Sequence, residues 1–190
     1  MTIQPRGSQL ALIVINDSDT VWQDTITVQR YSFAGEVLYE QTYSIDVPTR
    51  QNYQLLLDDG FHAYKKDAEL IRAKASTDDG TADAWWFFDI DKRLDYPVSE
   101  YQLDVTVAEE GYTLNVTAQT FLRDVVVYAD KLEPIAEVSE QLITLLPQES
   151  FTFTVRAARV PTVDELRANR VILCANDVIH DNSLVTSKMQ

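Results

Sequence analysis

The side chains able to do chemistry in this 190-residue chain are few, and most stand far apart. There are two histidines, His62 and His180, and one cysteine, Cys174. A zinc site needs several such ligands at short spacing, which are missing, and Cys174, in a predicted strand, reads as a buried free thiol rather than a nucleophile. Carboxylates occur in adjacent pairs, Asp58 with Asp59, Asp78 with Asp79 and Glu109 with Glu110. A glycosidase needs two carboxylates facing each other across about 5 to 10 Å, whereas neighbours at a turn point apart or into water. The acidic loop Asp78 to Asp83 offers too few ligands in the order of a helix–loop–helix calcium site to define one. No phosphate-loop, dinucleotide or HExxH pattern occurs. The expectation is no metal, no cofactor and no catalytic residue.

What remains is aromatic. DAWWFFDI (Asp83 to Ile90) holds Trp85, Trp86, Phe87 and Phe88 in a row. Rings of this kind build sandwich cores, and on an exposed face they stack on pyranose rings. Trp85 and Trp86 are therefore the candidate carbohydrate-binding residues. A strand sends alternate side chains to opposite faces, so a one-sided core claims only one parity pair of the four.

The elements that must position these groups are short β-branched and aromatic runs cut by Asn, Asp, Gly and Pro. LALIVI ends in the turn cluster NDSD; TITVQRYSF leads through Gly35 into EVLYEQTYSIDV, where Tyr39, Tyr43, Ile45 and Val47 share one parity. YQLLL, AELIRAKAS and DAWWFFDI follow, about six strands by residue 90. DKRLDYPVSE (Asp91 to Glu100) shows no alternation and contains Pro97, which marks it as a linker. A second series then runs through YQLDVTV, YTLNVTA, DVVVYAD, LITLL, FTFTV and VILCAND, six or seven strands. TVDELRANR is the one helical segment, with Thr162 and Glu165 at capping-box spacing. The pattern predicts an all-β protein of two tandem immunoglobulin-like β-sandwich domains, residues 1–95 and 96–190.

Composition narrows the partners. Thirty acidic against sixteen basic residues give a net charge of −14, which repels phosphate backbones and anionic lipid surfaces. No apolar run reaches the roughly 18 to 20 residues of a membrane span. MTIQPRGSQL lacks the features of a secretory leader, and a lone cysteine suits a reducing compartment; a cytoplasmic location is the expectation. Asn16-Asp17-Ser18 and Asn115-Val116-Thr117 match the glycosylation sequon, which has meaning only in a secretory setting.

FLRDVVVYADKLEPIAEVSEQLITLLPQESFTFTV (Phe121 to Val155) resembles the carboxy-terminal immunoglobulin-like domain of β-mannosidases of glycoside hydrolase family 2. RDVVVYAD stands for a segment of the form "ard-v-l-ad", and Leu145, Leu146, Pro147 and Glu149 for "LLPGE". The first half, with LALIVINDSD, YSFAGEVLYE and WWFFDIDKRLDYP, is similar to the domain that precedes it in those enzymes. Gln148 departs from the family glycine, and the tail VIHDNSLVTSKMQ has no counterpart. In that family both catalytic carboxylates belong to a TIM barrel, for which 190 residues leave no room. The resemblance thus implies an accessory, non-catalytic region of a β-mannosidase-type enzyme. Its implied partners are the parent's catalytic TIM barrel and β-mannoside glycans, and the parent reaction is hydrolysis of terminal β-D-mannosides. A free-standing carbohydrate-binding module and a structural protein pairing through sheet edges are the rival expectations.

Overall fold

A computed structural model describes residues 1–77 and 80–187 of the chain, which divides into two compact units, Met1–Asp95 and Tyr96–Gln190. In the first unit the strands are β1 (Thr2–Arg6), β2 (Gln9–Asn16), β3 (Trp22–Ser32), β4 (Val37–Val47), β5 (Gln51–Leu56), β6 (Glu69–Thr77) and β7 (Gly80–Phe87). They form two antiparallel sheets, ordered β1-β2-β5 and β4-β3-β6-β7. Seven strands split three and four make an immunoglobulin-type sandwich. Alternate residues supply its core: Leu12 and Val14 from β2, Ile26 and Val28 from β3, Ile45 and Val47 from β4, Ile71 and Ala73 from β6. Each large aliphatic side chain so buried contributes about 1.5 to 3 kcal/mol.

β1 was not expected from the sequence. Pro5 obscures it, yet proline is tolerated here because β1 ends its sheet and pairs only with β2 within it. Between β5 and β6 a 3-10 turn, Asp59–Phe61, delivers Phe61 to the core, capped by the Asp58 carboxylate accepting from the Gly60 N–H at 2.8 Å. The Tyr39 ring lies edge-on to Phe61 at 4.9 Å and leaves no space at Gly60, where a Cβ would stand 2.3 Å from it. A buried ion pair sits beside this turn. Arg30 Nη1 donates to Glu69 Oε2 at 2.5 Å and Nε to the Gly60 carbonyl at 3.1 Å, while Glu69 Oε1 accepts from the Lys65 N–H at 2.9 Å. Those added bonds offset part of the desolvation cost of placing two charges inside.

The second unit contains β8 (Tyr101–Ala108), β9 (Gly111–Ala118), β10 (Leu122–Val127), β11 (Glu137–Val138), β12 (Ile143–Leu145), β13 (Ser150–Arg156), helix α1 (Val163–Ala168), β14 (Ile172–Leu173) and helix α2 (Ala175–Ser187). Its sheets run β11-β13-β9-β8 and β12-β10-β14. β9 is the clearest alternating strand: Tyr112, Leu114, Val116 and Ala118 are buried, and the residues between them are partly exposed. They meet Val125, Val127, Leu145, Phe153, Val155 and Ile172 in one core. At the β8–β9 turn Gly111 has φ +140°, and a Cβ there would stand 2.2 Å from the Val155 carbonyl oxygen, so only glycine fits.

α1 carries the expected capping box, with the Thr162 side chain accepting from the Glu165 N–H and the Glu165 carboxylate from the Thr162 N–H. VILCAND departs from expectation. Only Ile172–Leu173 is strand, and Cys174 precedes a thirteen-residue helix that takes up most of the tail. Asp177 reaches back to accept from the Cys174 N–H at 2.9 Å, a helix-start contact. Asn176, fully buried, then pins the helix. Its Nδ2 donates to the carbonyls of Phe121 (2.8 Å) and Pro97 (3.0 Å), and its Oδ1 accepts from the Arg123 N–H (2.9 Å).

Candidate functional site

β7 positions the two tryptophans, and its pairing with β6 decides where each points. Trp86 lies opposite Ile71 and Trp85 opposite Arg72. Trp86 and Phe88 pack with Ala84 against the first core, and the Trp86 indole nitrogen is buried without a hydrogen-bond partner among the described residues. Trp85 faces the other way. The Arg72 guanidinium covers its ring at 4.6 Å, and Arg72 Nη2 donates to Asp83 Oδ2 at 2.6 Å. The two rings therefore do not form one platform. Both rings are half-buried, Trp86 packed against the first core and Trp85 with one face held in a cation–π contact.

Asp58 and Glu110, each from one acidic pair, serve a turn and an ion pair. Asp58 caps the 3-10 turn and accepts from the Tyr39 hydroxyl at 3.1 Å, while the exposed Asp59 stands 3.7 Å from His62. Glu110 pairs with Arg156 at 3.1 Å. Asp78 and Asp79, and with them the centre of the acidic loop, lie outside the described residues; Asp83 is committed to Arg72. His180 Nε2 lies 3.0 Å from the Tyr96 carbonyl. Burial pushes the Cys174 thiol up to about 12, and its Sγ donates to Asp177 Oδ2 at 3.3 Å, the state of an inert core thiol. Among the described residues no three His, Cys, Asp or Glu side chains stand together as metal ligands, and no helix is long and apolar enough to cross a membrane.

Sequence reasoning missed a shallow groove of about 220 Å³ at the hairpin end of the second unit, lined by Ala108, Glu110, Glu137, Ser139, Thr154 and Arg156. Arg156 bridges Glu110 and Glu137 at 3.1 Å each, so the charges satisfy one another. These residues come from separate strands, and no local spacing signals their meeting.

The motif segments have clear structural work. In RDVVVYAD, Arg123 supplies the N–H that donates to Asn176 Oδ1, and Asp124 adopts φ +52° where the β10–β12 register shifts. In LLPQES, the Glu149 N–H donates to the Leu146 carbonyl at 3.0 Å, with Pro147 second and Gln148 third at φ +71°, the pattern of a type II turn. Gln148 thus holds a positive φ at the position where a type II turn favours glycine. The two sequons differ sharply. Asn115 is partly exposed on β9 and donates to Thr152 Oγ1 at 3.0 Å. Asn16 is buried, its Nδ2 donating to the carbonyls of Thr20, Val47 and Pro48 at 2.8 to 3.2 Å.

No protein-family model and no curated protein matches the chain. Among solved structures it is similar to the exo-chitosanase CsxA of Amycolatopsis orientalis, with a TM-score of 0.55 at 14% identity over 92% of this chain and 25% of that one. CsxA in complex with PNP-β-D-glucosamine gives the same values. CsxA as an exo-β-D-glucosaminidase, in a study of its inhibition, gives a TM-score of 0.54. The chain thus spans about a quarter of the length of these structures. At such identity the likeness defines a fold: the chain is an all-β protein built like that quarter of CsxA.

Proposed function

We propose that this chain is the non-catalytic accessory region of a glycoside hydrolase of the family 2 β-mannosidase type, packing on a catalytic TIM barrel whose reaction is hydrolysis of terminal β-D-mannosides. The observation that carries the reading is the fold likeness over 92% of the chain to one quarter of a longer glycosidase. The finer assignment to β-mannosidases draws support from the paired segments RDVVVYAD and LLPQES, whose residues form a register shift and a type II turn. The chemistry of the side chains agrees. Asp58, Asp83 and Glu110 serve caps and ion pairs, and Cys174 is buried.

The test is an assay of the purified 190-residue chain on a nitrophenyl β-mannoside. No release of nitrophenol is expected, and turnover by the chain alone would sink the reading. The reading frame around the coding sequence supplies the positive arm: a barrel-encoding stretch in frame, or in a neighbouring gene whose product binds this chain, is the expected finding. A carbohydrate-binding module would instead give a saturable tryptophan fluorescence change with manno-oligosaccharides, centred on Trp85. With one face of Trp85 under Arg72, no such change is expected.

A further inference from the structure

In the first unit β4 closes one end of the sheet β4-β3-β6-β7, and among the described residues its backbone pairs with β3 on one side only. Alternate residues of such a strand turn their N–H and C=O groups outward, a template for another strand. Proteins usually blunt such an edge with lysine, proline, a bulge or a very short strand. β4 has none of these over most of its length. It runs eleven residues, VLYEQTYSIDV, without Pro, Gly, Lys or Arg, and its one register shift lies at the Val37 end. Its exposed residues include Glu40, Gln41, Thr42, Ser44 and Asp46. The two acids are drawn inward along the sheet: Glu40 accepts from Gln29 at 2.5 Å and Asp46 from Gln23 at 2.8 Å. They leave the edge unguarded.

We infer that β4 is a homotypic docking edge that pairs antiparallel with β4 of a second copy of this chain. The strand is self-complementary in one register. A two-fold axis through its midpoint, Thr42, sets Tyr39 opposite Ile45, Glu40 opposite Ser44, Gln41 opposite Tyr43 and Thr42 opposite itself. Inner-face residues then meet inner-face residues, and the two four-stranded sheets become one continuous sheet. Moving the axis to Tyr43 would set Glu40 against Asp46, a like-charge pair. Moving it to Gln41 shortens the overlap. Charge and length therefore select the Thr42 register.

Sedimentation of the 190-residue chain at about 0.15 M salt, where the charges of two acidic copies are largely screened, tests this. A reversible monomer–dimer equilibrium is expected below about millimolar concentration, and a chain that stays monomeric throughout overturns the inference. Thr42→Lys and Thr42→Glu each place like charges across the axis and should weaken the dimer by up to about fivefold, while their equimolar mixture should recover it. Ser44→Lys, which faces Glu40 of the second copy, should strengthen it. Circular dichroism of each variant confirms folding. A dimer indifferent to all three substitutions uses another surface, and the inference fails.

Discussion

Gln148 holds φ +71° at the third position of the Leu146–Glu149 turn, a conformation that glycine adopts without strain. A left-handed conformation costs an L-residue about 1 to 2 kcal/mol, against roughly 0.5 to 1 kcal/mol of extra unfolded-state freedom for glycine. Gln148→Gly should therefore stabilise the protein by about 0.5 to 1 kcal/mol, read as a higher urea midpoint at unchanged m-value. Two other residues set the alkaline limit. Burial is the main cause that pushes the Cys174 thiol up to about 12 from 9.0, and the Tyr43 phenol, whose hydroxyl is buried without a hydrogen-bond partner among the described residues, up to about 12 from 10.0. Both groups hold their protons more tightly folded than unfolded, so stability is intact below pH 9 and falls as pH rises through the interval up to about 12. Thermal melts across that interval should decline, with a shallower slope in Tyr43→Phe. An unchanged slope would show that Tyr43 ionises without opposing the fold.

At the scale of elements, helix α2 depends on one amide. Asn176→Ala would leave the carbonyls of Pro97 and Phe121 and the N–H of Arg123 without their partner in a buried setting. A loss of about 3 kcal/mol is expected, and hydrogen exchange should show α2 opening well before β9. The same helix explains where the sequence misleads. VILCAND is an apolar run followed by Asn and Asp, and whether those two end a strand or start a helix depends on Phe121 and Pro97, which are remote in sequence. β9 could be read directly, because one of its faces meets a core and the other meets water. β6 shows no such contrast: Leu70, Ile71 and Arg72 are all buried in succession, so alternation is lost. The parity split of Trp85 and Trp86 was legible from strand geometry alone. Which ring packs against the core was not, since that follows from the pairing of Trp86 with Ile71 and Trp85 with Arg72.

On the scale of the whole molecule, the two sandwiches were visible in the spacing of turns, while the groove around Arg156 and the buried Arg30–Glu69 pair were not, because each joins residues far apart in sequence. Composition still governs long-range behaviour. At a net charge of −14 the chain should give no retained complex with duplex DNA in filter binding at about 0.1 M salt, and retention would point to a basic patch that the overall charge conceals. Asn16 has a further consequence, one of timing. Its amide ties the turn after β2 to the end of β4, and both of its N–H groups are spent on carbonyls of Thr20, Val47 and Pro48. Oligosaccharide transfer acts on a chain still emerging from the ribosome, before that knot can be tied. A glycan placed on Asn16 would occupy the nitrogen that the knot requires. Production through a eukaryotic secretory host should thus yield a misfolded fraction, which Ser18→Ala, by removing the acceptor signal, would rescue.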